Sequence, residues 1–441
     1  MRIALIAMSG IRVCDEELLR LGLTLPGFVE RSKIIASLPS LGLLTLAGMT
    51  PSRHDVKYFE ISELAAAREH GEVPEGFDLV AISSYSAQMD EAYALADEYR
   101  HKGIAVVLGG LHVTSLPQEA ARHANAVVIG EGESVWTDLL ADFEAGKLQQ
   151  FYDGREREFD LAQAPMPAFE LLAPDRYNRL TVQTSRGCPH LCEFCASSVL
   201  LTKQYKQKPV ARVIAEIDRI RATWSHPFIE FADDNSLVNR SYWKELLTQL
   251  KGRHVRWFTE TDISVGDDDE LLTLMRESGC AQVLIGLESP TAASLSGLEI
   301  RGNWKSKQWQ KYESKIRAIQ SHGISVNGCF ILGLDGQDEK IFDDVVEFVE
   351  KTGLHEVQIT IQTPFPGTPL YDRLAKEKRL IEPEAWRKCT LFDVNYVPKQ
   401  MTVEQLELGF RDLAVRLYSD EAYRKRRERF KGMLKAGREV N

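Results

Sequence analysis

No stretch of the 441-residue sequence reaches the ~18 uninterrupted apolar residues of a membrane span, so no membrane-crossing helix is expected. Positive charge is not in excess either. The 54 Lys and Arg stand against 64 Asp and Glu, and the net charge of -10 argues against a broad basic face for nucleic acid or an anionic membrane. The opening residues, Met1 to Met8, hold one basic residue and too short an apolar run for a signal peptide, and read as a buried first strand. Seven cysteines, an odd number with three crowded together, do not make a disulfide framework and point to a reducing cytoplasm. The remaining composition, 44% hydrophobic and 27% charged, suits a large enzyme with sizeable cores in two or three domains.

The crowded cysteines, Cys188, Cys192 and Cys195, fall within eight residues. Three thiolates are one fewer than a four-iron cluster uses, and a cubane held by three leaves one iron open to a cofactor or substrate. A structural zinc site wants a fourth protein ligand. Cys280, Cys329 and Cys389 each stand alone in an apolar stretch, where a buried, inert thiol is the ordinary reading, and Cys14 receives no role. The run Gly187-Cys188-Pro189-His190-Leu191-Cys192-Glu193-Phe194-Cys195 resembles the cluster motif of the radical S-adenosylmethionine (SAM) enzymes, with Phe194 as the aromatic that often precedes the last cysteine. The resemblance implies a 4Fe-4S cluster whose open iron is chelated by the amino and carboxylate groups of SAM.

Before this motif, short apolar strands alternate with helices. Residues 2 to 8, 56 to 60, 78 to 83, 104 to 110 and 126 to 130 read as strands, with a buried helix over 38 to 49 and another near 88 to 102. Such a pattern predicts a doubly wound parallel α/β sheet, because parallel strands need crossovers and are buried on both faces. Ligands of these sheets bind outside the carboxyl ends of the strands. There stand Ser83-Ser84-Tyr85, Gly109-Gly110-Leu111-His112 and Gly130-Glu131-Gly132. This pattern resembles the Rossmann-like cobalamin-binding domain that precedes many radical SAM barrels, which implies that these residues hold cobalamin. The histidine motif that supplies cobalt's lower ligand in other cobalamin domains is absent, the chain near its place reading Leu41-Gly42-Leu43-Leu44. His112 is a conceivable substitute, although a solvated or backbone-bonded histidine is the ordinary reading.

A proline-rich junction, Ala164-Pro165-Met166-Pro167-Ala168-Phe169, breaks helix and strand alike. The expected division is a cobalamin-binding-like domain over 1–150, a linker over 151–175, a partial β/α TIM barrel over 176–380 and a mainly helical region over 381–441. In the barrel, strands at 181–184, 228–235, 256–261, 281–289, 326–336 and 357–362 present their carboxyl ends to one face, where barrel chemistry sits. By resemblance, Asp233 or Asp234 meets the SAM amino group, unless the residue caps the following helix. Glu288 and Ser289 lie near the ribose or carboxylate, and a buried acid there, costly unless paired, favours a bound ligand. Gly333 belongs to the strand beside adenine, and Gln362, which ends the last strand, is expected with it among the SAM-binding residues. Asp335 and Gln337 depart from the family, where proline and glutamate are common. The run Thr363-Pro364-Phe365-Pro366-Gly367-Thr368-Pro369-Leu370-Tyr371 is typical of the cobalamin-linked subgroup and is in any case a rigid turn. The basic run Arg424-Lys425-Arg426-Arg427 reads as a solvated helix face.

These resemblances imply a cobalamin-dependent radical SAM C-methyltransferase acting on an unactivated carbon through a 5′-deoxyadenosyl radical and methylcobalamin. The alternatives are a radical cyclase, oxidase or rearranging enzyme without net methylation, and a non-catalytic iron-sulfur protein. The expected partners are a small-molecule or peptide substrate and a flavodoxin- or ferredoxin-type electron donor. The sequence leaves the substrate open, and also whether the insertion at residues 9 to 37 covers the active site.

Overall fold

A computed structural model describes residues 1–20, 38–173, 176–196 and 204–439. Most of the 9-to-37 insertion therefore lies outside the described residues. The N-terminal part is one parallel sheet of β1 (Arg2–Met8), β2 (Asp55–Ile61), β3 (Leu79–Ser84), β4 (Ala105–Gly109), β5 (Ala126–Ile129) and β6 (Phe151–Asp153). Its order is β2-β1-β3-β4-β5-β6, with crossovers packed on both faces. Chain direction across the sheet reverses between β1 and β3, which leaves a crevice at their carboxyl ends. The three-residue β6 falls in the segment expected to be linker. It is too short to show a pattern of its own, and the edge beside β5 supplies its register.

The helix Leu41–Met49 follows β1 and buries Leu43, Leu44, Thr45 and Ala47. Its start is fixed by Ser40, whose hydroxyl accepts from the Leu43 amide at 3.4 Å. The proline-rich junction crosses this helix so closely that a methyl group on Gly48 would stand 2.1 Å from the Met166 carbonyl oxygen. The Ala168 amide then donates to the Leu44 carbonyl at 3.0 Å. The junction is thus held against the first domain.

The second part carries β7 (Leu180–Val182), the short antiparallel pair β8 (Ser185–Arg186) and β9 (Lys206–Gln207), then β10 (Phe228–Ser236), β11 (Arg256–Thr261), β12 (Cys280–Glu288), β13 (Ser325–Leu332) and β14 (Glu356–Ile361). Six of these form a parallel sheet in the order β14-β13-β12-β11-β10-β7, an open barrel with every carboxyl end on one side. Val357, Ile359 and Ile361 alternate with Gln358 and Thr360, so one face of β14 enters the core and the other faces the barrel interior.

The C-terminal helices Val403–Tyr418 and Asp420–Glu439 close the barrel, the first beginning in a capping box of Thr402 and Gln405. Phe410, Leu413 and Leu417 join the barrel core. The basic run is not wholly solvated. Arg426 is buried and donates to the carbonyls of Leu417 at 2.6 Å and His355 at 3.2 Å, because it faces the barrel floor while its neighbours face out.

Candidate active site

The cysteine loop follows β7 at the carboxyl end of the barrel. Its root is pinned by β10. Asp233 accepts from the amides of Thr184 at 2.7 Å and Ser185 at 3.0 Å, and from the hydroxyls of Thr184 and Ser236 at 2.5 and 2.9 Å. Burial pushes the Asp233 carboxyl up against the pull of those donors. All its capacity is spent inside the protein, and it does not line the cavity; Asp234 does, and it also accepts from the Gly187 amide at 2.6 Å. Neither caps the following helix, Arg240–Leu250, whose N-cap is Asn239; one carboxylate holds the loop and the other faces the cavity.

The loop's far side is tied twice. The Glu193 amide donates to Leu298 O and the Ile300 amide to Leu191 O, at 2.9 and 2.8 Å, while Glu299 accepts from the amides of Leu191, Arg301 and Gly302. Arg373 then grips Glu193 through both carboxylate oxygens at 3.0 and 2.7 Å. Arg373 sits on the helix Pro369–Lys376, into which the rigid Thr363-to-Tyr371 turn leads. Asp335, standing where proline is common, pairs with Arg373 and Arg379 and extends this brace. These tethers link residues up to 180 positions apart, which local patterns in the sequence do not reveal.

A cavity of about 310 Å³ opens on the three cysteines and Phe194. Asp234, Glu260, Glu288, Lys305, Gln358 and Gln362 supply its polar wall. Glu288 has its expected place at the strand end, with φ of 63°, but its charge is already met. Lys305 donates to it at 2.5 Å and to Gly286 O at 2.9 Å, so its burial does not by itself call for a ligand. Gly286 is needed there, because a Cβ would stand 2.4 Å from the Glu288 carboxylate. Ser289 turns away and bonds Thr291. Gly333 does not reach the cavity: it packs under Tyr396, whose hydroxyl donates to its carbonyl at 2.7 Å. Gln337, in place of glutamate, accepts from the amides of Gly333 and Leu334 and so closes that turn. Gln362 faces the cavity, only 2% exposed, with its Oε1 lacking a protein partner.

Two residues without an assigned role join this wall. Cys329, expected to be a buried core thiol, stands on the cavity surface. Glu260 faces the cavity from β11 with its side chain open to it, and removal from bulk water by the barrel wall, with the neighbouring carboxylates Glu230 and Asp234, pushes its carboxyl up to about 7. The signal for both was strand alternation, which carries every second residue of β11, β13 and β14 to the inner face.

A second cavity, about 280 Å³, opens in the first domain at the carboxyl ends of β3, β4 and β5. Ser83, Gly109, Gly110, Gly130, Glu131 and Gly132 line it, with the helix Leu41–Met49 opposite. Gln183, Arg186 and Ala232 of the barrel complete the wall. Ser84, Tyr85, Leu111 and His112 are not on this surface. The Ser84 hydroxyl bonds the Tyr85 carbonyl, and Tyr85 is half exposed. His112 is buried with Nδ1 against Ser86 Oγ at 3.1 Å and Nε2 against Glu119 at 3.2 Å, its ring packed on Trp386. With both ring nitrogens engaged, it has none to offer a metal.

The donor set fits the expected groups. All three loop cysteines are free and share one cavity, and burial pushes the Cys192 thiol up to about 12, so cation binding is what would hold it as thiolate. Among the described residues no three His, Cys, Asp or Glu side chains converge on a single ion. A cubane asks for no such point, since each cysteine takes a different iron. The glycine-lined crevice leaves the backbone open to a large planar ligand.

Fold and site together define a radical SAM enzyme: the model of the radical SAM superfamily matches residues 182–349. The B12 binding domain model matches residues 32–140, and a domain of unknown function matches 368–440. The chain therefore belongs to the cobalamin-dependent radical SAM enzymes, with a 4Fe-4S cluster, SAM and cobalamin as cofactors. It is 29% identical over 379 residues to the bacteriochlorophyllide d C-12(1)-methyltransferase of Chlorobaculum tepidum, covering 84% of this chain and 81% of that protein. The hopanoid C-2 methylase of Rhodopseudomonas palustris is 26% identical over 403 residues, covering 89% of this chain and 73% of its own. The solved structure of the methyltransferase TsrM from Kitasatospora setae, with cobalamin and a [4Fe-4S] cluster bound, shares the fold. Its TM-score is 0.63 at 15% identity, over 85% of this chain and 75% of that one.

Proposed function

We propose that the protein is a C-methyltransferase that methylates an unactivated carbon of a small molecule. The observation that carries this reading is the adjacency of the two cavities. Arg186 and Ala232 line the glycine crevice, while Cys188 and Asp234, each two residues further along the same strand ends, line the cysteine cavity. The bound cofactors supply an electron, a hydrogen-abstracting radical and a methyl group, and the protein supplies their geometry.

In this reading Cys188, Cys192 and Cys195 hold the cluster. Asp234, Glu288 and Gln362 bind SAM, with Asp234 and Gln362 offering acceptors to its amino and hydroxyl groups. Ser83, Gly109, Gly110, Gly130, Glu131 and Gly132 would cradle cobalamin, while His112, with both ring nitrogens engaged, lies off that surface. Glu260, Gln358 and Thr360 are left to orient the substrate. Electrons come from a flavodoxin- or ferredoxin-type donor in a reducing compartment.

The test compares small molecules from cells with and without the protein, seeking pairs that differ by one CH2, and then counts products in vitro. With reductant and the substrate so found, 5′-deoxyadenosine and S-adenosylhomocysteine should accumulate in nearly equal amounts. Formation of 5′-deoxyadenosine alone would overturn methylation in favour of a cyclase or oxidase.

A further inference from the structure

The wall of the glycine crevice that the barrel completes contains a closed ionic group. Arg186 donates through Nη1 to Glu131 at 3.0 Å, through Nη2 to Glu133, and through Nε to Gln183 at 2.8 Å. Lys206, on the paired strand β9, donates to the other oxygen of Glu131 at 2.6 Å and to Phe159 O at 3.1 Å. Two carboxylates from the first domain thus meet two cations from the barrel, and the carboxylate side chains are 7% exposed. The guanidinium fork fixes direction as well as charge.

One end of this group walls the glycine crevice, and the other leads along the chain to residues of the cysteine cavity. Glu131 and Glu133 belong to the loop after β5 whose backbone walls the glycine crevice. Gly130 there has φ of 77°, and Gly154, beside it, has no room for a Cβ, which would stand 2.6 Å from Glu131 O, so the loop has little freedom to yield elsewhere. At the other end, the peptide that follows Arg186 is Gly187, held by Asp234, and the next residue is Cys188. The fork and the Gly187–Asp234 bond therefore make a continuous path of contacts from the β5 loop to the root of the cluster loop and to Asp234.

We propose that Arg186 is a positioning residue that couples occupancy of the cobalamin crevice to SAM binding at the cluster. The inference rests on the cobalamin and SAM assignments above. Cobalamin that orders the β5 loop sets Arg186, and Arg186 sets Asp234 and the cysteine loop. By linkage the effect is reciprocal, SAM tightening cobalamin by the same factor.

The experiment measures SAM affinity of the cluster-loaded protein by equilibrium dialysis, with and without saturating hydroxocobalamin. In the wild type, cobalamin should tighten SAM binding by about 5-fold or more, the lower range of such couplings. In Arg186→Gln the ratio should fall below about 2-fold, with cobalamin-free SAM affinity and iron content near those of wild type. Because Arg186→Gln leaves Glu133 buried without its cation, the double variant Arg186→Gln/Glu133→Gln is measured beside it; there Glu131 retains Lys206 and the group stays neutral. An unchanged ratio in the double variant overturns the proposal. So does a loss of SAM affinity that is equal with and without cobalamin, which marks a merely structural role. Failure of the wild type to take up cobalamin overturns it together with the crevice assignment. Failure of methyl transfer alone is separate, since it removes S-adenosylhomocysteine from the products and leaves the binding ratio intact.

Discussion

At the scale of single residues, chemistry is decided by what each polar group already holds. Cys188, Cys192 and Cys195 are free and share a cavity, whereas Cys280 is sealed in the barrel core. Replacing any of the three by alanine should abolish the oxygen-sensitive cluster, while Cys280→Ala retains it. Iron and sulfide analysis after anaerobic reconstitution checks this, and a full cluster in a loop variant would refute the assignment. Glu288 and Lys305 form a pair only 7% and 11% exposed at their side chains. Lys305→Met strands a buried carboxylate and should cost about 3–5 kcal/mol, whereas Glu288→Gln/Lys305→Met should recover most of it. Denaturant unfolding of both variants tests the coupling. Glu260 carries a pH signature. Its carboxyl in the folded chain is pushed up to about 7 from the ordinary 4.5, so the folded state binds the extra proton. Folding stability from this group is then greatest below about 4.5 and is lost as pH rises toward 7. Glu260→Gln should accordingly raise Tm of the cofactor-free protein at pH 8 and leave it nearly unchanged at pH 5. Equal shifts at both pH values would contradict the raised titration.

At the scale of elements, the turn after β14 and its helix brace the cluster loop. Arg373 spans Glu193 and Asp335, and the Leu370 amide donates to Glu193 O at 3.0 Å. The prolines of Thr363-to-Tyr371 make this brace stiff by limiting the conformations its backbone can visit. Arg373→Ala should permit cluster assembly but hasten its loss in air several-fold, followed by bleaching of the cluster absorbance. Bleaching at the wild-type rate would mean that the Glu299 tether alone holds the loop. The same element scale explains Gly333. Its φ of 88° and the Tyr396 hydroxyl, 2.1 Å from where a Cβ would lie, require glycine for reasons of backbone and packing.

At the scale of the whole molecule, two six-stranded sheets among the described residues have their carboxyl ends along one seam, joined by the Arg186 group and by Trp386, which packs on His112. Among the described residues no helix is long and apolar enough to cross a membrane. The seam leaves His112 enclosed by Ser86, Glu119 and Trp386, outside the crevice. The Co(II) form of the cobalamin-loaded protein should therefore show no nitrogen splitting from an axial imidazole in paramagnetic resonance. Splitting that disappears in His112→Ala would mean that the histidine leaves this cage to bind cobalt.

Much of this was legible in the chain before any coordinates. Three cysteines with a three-then-two spacing announce their chemistry within one loop, and strand alternation announces a parallel sheet within a few residues, because both signals are local. The glycines after β4 and β5 could be placed for the same reason. Only the tertiary structure decided which of Asp233 and Asp234 faces the cavity, since the two differ by which side of one strand they occupy. It also supplied Lys305 for Glu288, Arg373 for Glu193 and Arg186 for Glu131, separated by 17, 180 and 55 positions. A charged side chain has no periodicity that names its distant partner. The choice is made when burial removes water and the nearest opposite charge is the one the fold has brought alongside.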